Sequence, residues 1–186
     1  MKEKDTPVDI SKDSAYLIPT DIFSNDIFSK LVCTYVYKLA NTDDSPHSLK
    51  IDKELSIDQK DKLWERLLES ASAMDEDFIF EPILRNKIVK IRELKLSDTT
   101  LLCDKVKGFL QHKTSKTESN PHKIDTLFKR IRDSFAHGRI AQCNEYLILE
   151  DKKNELTGRI IITTSILLDW AKIIDDFIKA LSPQKQ

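Results

Sequence analysis

Residues 127–140 read Leu-Phe-Lys-Arg-Ile-Arg-Asp-Ser-Phe-Ala-His-Gly-Arg-Ile and bring Arg132, Asp133 and His137 together within six positions. An imidazole exchanges protons near neutral pH, a guanidinium fork matches a carboxylate or a phosphate, and a carboxylate can hold either one. The three side-chain types suit acid–base chemistry on an anionic substrate. On a helix turning about 100° per residue, with Arg132 set at zero, Ile124, Leu127, Phe128, Ile131 and Phe135 fall in an arc of roughly −140° to −40°. That arc is the expected buried stripe. On the same wheel Asp133 lies near about +100° and His137 near about +140°, so both should face away from the core, with Arg132 at its margin.

Asp133 and His137 are four residues apart and therefore neighbours on a helix surface. The carboxylate is expected to accept from one imidazole nitrogen and leave the other free. Arg132 is about 140° from His137 on the wheel, so a single helix does not bring guanidinium and imidazole onto one small group. Two helices paired across a symmetric interface would. Gly138, directly after the histidine, has the form of a helix stop.

Charge is concentrated around this segment. From Lys105 to Arg139 there are nine Lys or Arg against three Asp or Glu, a surplus of +6, so the rest of the chain carries −7 of the net −1. A basic band attracts a phosphodiester backbone in a salt-sensitive way. Lys129, Arg130 and Arg139 are the expected phosphate-binding residues beside the trio. A solvated charged surface is the plain alternative.

The elements that must hold this segment are mostly helical by pattern. Ile22 to Leu39 recur at helical spacing over 21–40, and the polar stretch Asn41 to Lys50, with Pro46, is a loop. Ser56-Ile57-Asp58-Gln59 is a capping-box pattern opening a second helix through Met74. Pro82 suits the first turn of a third, and Ser97 can cap a fourth reaching about Gln111. Lys113 to Pro121 is a polar connector, the expected mobile loop beside the motif. After the motif, Glu145 to Glu150 and Gly158 to Thr163 flank the polar turn Asp151 to Glu155, which predicts a β-hairpin. Thr164 or Ser165 then caps a last helix to about Leu181.

The 186 residues suit one domain, 1–186, with residues 1–19 and 182–186 expected to be loosely ordered. No apolar run approaches the roughly 20 residues of a membrane span, and the N-terminus lacks the apolar region of a signal peptide. A cytosolic, membrane-free chain is expected. Cys33, Cys103 and Cys143 are too few and too scattered for a disulfide framework or a paired-cysteine zinc site, and are read as free thiols. Three glycines cannot build a phosphate loop. His47, His112 and His122 sit in or beside polar connectors, and His122 immediately precedes the motif helix.

The run Arg132-Asp133-Ser134-Phe135-Ala136-His137 resembles the mark of the HEPN family: arginine, a polar residue, then a histidine with four to six residues between arginine and histidine. The resemblance spans roughly residues 80–181. It implies an all-α fold, an up-and-down helical bundle with a small β-hairpin between the motif helix and the C-terminal helix. It also implies a metal-independent endoribonuclease without cofactor, acting as a homodimer with a composite site in phage defence, a toxin–antitoxin pair or a stress response. In that reading His137 takes the proton of a ribose 2′-hydroxyl, Arg132 neutralises the phosphoryl oxygens and Asp133 orients the imidazole. The alternative is a HEPN-like dimerisation or RNA-binding module without catalysis. An antitoxin or defence-system partner is a further expectation. Toxins of this family silenced by a partner nucleotidyltransferase resemble Arg-x4-His-x-Tyr; here the tyrosine position is Arg139, so the likeness does not extend to that modification.

Overall fold

The computed structural model describes residues 26–39, 55–83, 106–113, 121–143, 146–152 and 156–181. In chain order these form α1 (Asp26–Val32), which widens into a π-helical turn (Cys33–Lys38), then α2 (Ile57–Ser70), a 3-10 turn (Asp75–Asp77), β1 (Phe78–Ile83) and β2 (Lys107–Lys113). The motif helix α3 (Lys123–Ala136), β3 (Ile140–Cys143), β4 (Tyr146–Lys152), β5 (Leu156–Thr163) and α4 (Thr164–Leu181) follow.

The five strands make one sheet in the order β1-β2-β5-β4-β3. β1 and β2 are parallel, and every other neighbouring pair is antiparallel. The fold is therefore mixed α/β, and the all-α bundle expected from the resemblance is wrong. β3 (Ile140–Cys143), not anticipated from the sequence, adds a strand beside the expected hairpin, and strands in two further short segments were missed. Lys107–Lys113 is a strand where a helix was expected to extend to about Gln111. Val106, Gly108 and Leu110, two residues apart in turn, are buried, and so short a run cannot advertise a strand unambiguously. Pro82, expected to open a helix, lies in β1, which among the described residues pairs on one side only; an edge strand tolerates a residue without an N–H. The remainder of the expected third and fourth helices, the 41–50 loop, the 114–120 part of the connector and the chain ends lie outside the described residues.

Other expectations hold. Ser56 and Gln59 form a reciprocal capping box: Gln59 N–H donates to Ser56 Oγ at 3.3 Å and Ser56 N–H to Gln59 Oε1 at 2.9 Å. The hairpin is β4 and β5, and the last helix is α4, capped one residue earlier than expected by Thr163 Oγ1, which accepts from Ile166 N–H at 3.3 Å. No helix among the described residues is long and apolar enough to cross a membrane.

The helices share a core with one face of the sheet. Leu147, Leu149, Ile160 and Ile162 contribute the inward positions of β4 and β5, while Ile148, Ile161 and Ala141 form a smaller cluster with Tyr146 on the opposite side. Strand alternation makes this division. Tyr35, in the π-helical turn, stacks on Phe135 with ring centroids 6.0 Å apart and donates its hydroxyl to the Leu167 carbonyl at 2.9 Å. Complete burial pushes its phenol well above the ordinary value, so it stays a donor. Trp170 Nε1 donates to the Leu67 carbonyl at 3.0 Å, joining α4 to α2.

Gly108 makes room for an aromatic ring. It is the register partner of Phe78 on the neighbouring strand, and a Cβ there would lie 2.5 Å from Phe78 Cδ1. Gly108→Ala should destabilise the protein by about 1–3 kcal/mol in urea titration, as overpacked cores do. Combining it with Phe78→Leu should cost less than the sum of the two single changes, because the clash is shared.

Candidate active site on the motif helix

The motif helix begins at His122, whose Nδ1 accepts from Ile124 N–H at 3.3 Å and whose Nε2 lies 2.9 Å from Asp61 Oδ1. A ring that caps with Nδ1 must carry its proton on Nε2, so the donor goes to Asp61. His122 is thus a structural cap rather than a reacting group. Two more charge pairs tie this end down: Lys60 Nζ to Asp125 Oδ2 at 2.8 Å, and Lys123 to Asp75. Asp75 also accepts from Trp64 Nε1 at 2.9 Å. Desolvation opposes its charge, but the hydrogen bonds from Lys123 and Trp64 and the Lys123 charge outweigh it, and the carboxyl is held below its ordinary value.

The other end stops by a full Schellman arrangement. Gly138 N–H donates to the Phe135 carbonyl at 3.2 Å and Arg139 N–H to the Ser134 carbonyl at 2.8 Å, with Gly138 at φ +61°. His137 is the last residue before that turn and is exposed. Among the described residues its imidazole has no hydrogen-bond partner.

The helix is more buried than the single stripe implied. Ile124, Leu127, Phe128, Ile131 and Phe135 are inside as expected, and Thr126, Arg130 and Ser134 are buried beside them. On the wheel these three extend the covered arc by roughly another 100°. Two layers bear on the helix instead of one: the π-helical turn on one side, and β4, β2 and β5 on the other. Arg130 therefore turns inward. It pairs with Asp151 at the end of β4, and its Nη1 donates to Thr157 Oγ1 at 3.1 Å. As a residue expected to grip a flanking phosphate it is misplaced, because its guanidinium is enclosed between helix and hairpin. Breaking such a pair by removing one member costs about 3–5 kcal/mol, since the survivor's charge is left uncompensated.

Toward the C-terminal half of the helix and its stop, the exposed and half-exposed side chains are Lys129, Arg132, Asp133, Ala136, His137 and Arg139. Arg132 Nε and Nη2 both reach Asp133 Oδ1, at 2.9 and 2.5 Å. Asp133 thus holds the arginine next to it and not the imidazole; its link to His137 is the backbone bond, His137 N–H to the Asp133 carbonyl at 3.1 Å. A neighbouring guanidinium is closer to the carboxylate than a ring one turn away. Arg139 keeps one side toward solvent while its Nη1 lies 3.9 Å from Asp151 Oδ1.

Four cations of the basic band are consequently paired. Lys123, Arg130, Arg132 and Arg139 each have an acidic neighbour, drawn from three acids: Asp75 on the 3-10 turn, Asp133 on the same helix and Asp151 on the hairpin. Sequence counting missed Asp151 because the hairpin folds it back under the helix. The cysteine reading is settled only for Cys33, which is a free thiol on the surface; the side chains of Cys103, Cys143 and His112 lie outside the described residues, as does His47.

Two outcomes follow from this geometry. Gly138→Ala should cost about 1–2 kcal/mol in chemical denaturation through backbone strain alone, because nothing lies within 4 Å of the added methyl. Gly138→Asn should cost less, since asparagine tolerates the left-handed region. Asp75 contributes stability above its ordinary value of 3.8 and loses it as pH falls through its depressed folded-state value. The Tm difference between wild type and Asp75→Asn, open at about pH 6, should therefore narrow below that value and close in stronger acid.

No family model matches the chain, and no curated protein or solved structure matches it.

Proposed function

We propose that the protein is a metal-independent endoribonuclease whose site is completed by a second copy of the chain. The observation that carries this reading is the presentation of Arg132 and His137 on the solvent side of one helix, with the imidazole unengaged at the helix stop. His137 takes the proton from a ribose 2′-hydroxyl. The oxygen attacks the adjacent phosphorus, the bond to the 5′ oxygen breaks with that oxygen taking a proton from water, and the fragments end in a 2′,3′-cyclic phosphate and a 5′-hydroxyl. General-base assistance of this kind is worth about 10²–10⁴ in rate.

Arg132 bears on the phosphoryl oxygens, where charge builds as the bond breaks. Asp133 holds that guanidinium in a fixed orientation, a different duty from steadying the ring. Lys129 and the solvent side of Arg139 meet flanking phosphates, and Arg130 is withdrawn from that group. The 2′-hydroxyl requirement makes DNA a poor substrate. This reading rests on the motif helix alone, since the surrounding sheet is not the helical bundle that the HEPN resemblance implies.

A non-catalytic RNA-binding or dimerisation module is the second reading. What favours it is Asp133, which engages Arg132 and leaves the imidazole without an orienting carboxylate.

The two differ in their products. Single-stranded RNA incubated with the protein in EDTA should acquire 2′,3′-cyclic phosphate ends, and His137→Ala should lower the rate by at least about 10²-fold. A composite site adds a sharper test. Mixing inactive Arg132→Ala and His137→Ala proteins and allowing exchange should restore about a quarter of wild-type activity, because half the dimers carry one intact site of two. Uncut RNA that is nonetheless retained in a salt-dependent way by both wild type and His137→Ala would establish the binding module instead.

A further inference from the structure

We infer that Asp151 is a positioning residue for His137, acting as a clamp between the β4–β5 hairpin and the end of the motif helix. The inference rests on the reading of His137 as the proton acceptor. Asp151 stands on the inward face of β4, where the neighbouring inward positions Leu147 and Leu149, and Ile160 and Ile162 on β5, are aliphatic. It is 3% exposed. A carboxylate in such a place carries a desolvation cost that an aliphatic side chain would not.

Its two oxygens face the two sides of His137. Oδ2 pairs with Arg130, seven residues before the histidine, and Oδ1 lies 3.9 Å from Nη1 of Arg139, two residues after it. The Schellman stop lies between these two anchors. Backbone bonding adds a third attachment, Glu150 N–H to the Arg139 carbonyl at 3.0 Å. The rotation of the last helical turn and the exit of the chain are thereby referred to a single buried carboxylate.

The hairpin is shaped around this contact. Gly158 is the register partner of Asp151, and a Cβ at Gly158 would come within 3.2 Å of Arg130 Cγ and Cδ. The glycine leaves the space in which the arginine stem runs. Thr157 Oγ1 accepts from Arg130 and donates to the Asp151 carbonyl at 3.0 Å, while the register shift falls between Asp151 and Lys152. Four features of one hairpin end thus serve one arginine of the helix.

The test reads the His137 ring directly, in the full chain, by long-range proton–nitrogen correlation of the imidazole together with the Gly138 and Arg139 amides. Asp151→Asn should displace these signals, and Thr157→Val should displace them less and in the same direction. Lys60→Met, which breaks a pair at the opposite end of the helix, should lower Tm and leave them in place. In RNA cleavage, Asp151→Asn should lower kcat about tenfold or more while KM moves less than about threefold, the pattern of a misplaced reacting group. Asp151→Glu should recover part of the rate. Unmoved ring and amide signals in folded Asp151→Asn overturn the clamp; if that variant does not fold, unmoved signals in Thr157→Val overturn it. The ring signals decide the clamp even if wild type cuts no RNA, an outcome that would remove the nuclease reading alone.

Discussion

The motif helix is enclosed from two directions, and most of the structure follows from that constraint. Its aromatic and aliphatic side meets the π-helical turn through Tyr35 and Phe135, whose rings are nearly parallel. Its other side meets the sheet, where Arg130 and Ser134 are buried along with Thr126. Ser134 Oγ satisfies itself on the Arg130 carbonyl at 2.8 Å, and Arg130 is satisfied by the hairpin. Burial of Arg130 and Ser134 is tolerable because each has a bonding partner. What remains outside is a narrow face carrying Lys129, Arg132 and Ala136, with His137 at its end.

Both ends of that helix are pinned by charge in addition to apolar contact. At the start, Lys60, Asp61 and Asp75 reach across from α2 and the 3-10 turn to meet Asp125, His122 and Lys123. At the finish, Asp151 gathers Arg130 and Arg139. Exposed pairs of this kind contribute little individually, whereas the buried Lys60–Asp125 and Arg130–Asp151 pairs are specific because a charge in the interior has few acceptable positions. A helix located in this way presents its exposed side chains with little rotational freedom. That is the mechanical requirement of any chemistry relying on His137.

How much was legible in the sequence differs by element. The capping box at Ser56, the hairpin and the last helix were readable because each is a local pattern: a side chain bonding its own turn, or alternation over a run bounded by a polar loop. The helix stop at Gly138 was equally local, since the left-handed residue is needed wherever that turn forms. β1 and β2 were not readable. Phe78–Ile83 and Lys107–Lys113 are short, contain Pro82 and Gly108 respectively, and gain their strand identity only from pairing with each other and with β5. The first pairing joins positions about thirty residues apart and the second about fifty, which no local window contains.

Within the site the same division recurs. From sequence alone came the helix, its stop, and the exposure of His137, all fixed by side-chain periodicity and by the backbone freedom of one glycine. Only the tertiary structure decided the fate of the neighbouring charges: Arg130 became an interior residue, Asp133 chose Arg132, and Asp151 entered the site from the hairpin. Periodicity reports which side of a helix is apolar, but a cation beside that stripe goes inward or outward according to whether a distant carboxylate is there to receive it. That carboxylate is supplied by strand register, and register is a property of the folded sheet.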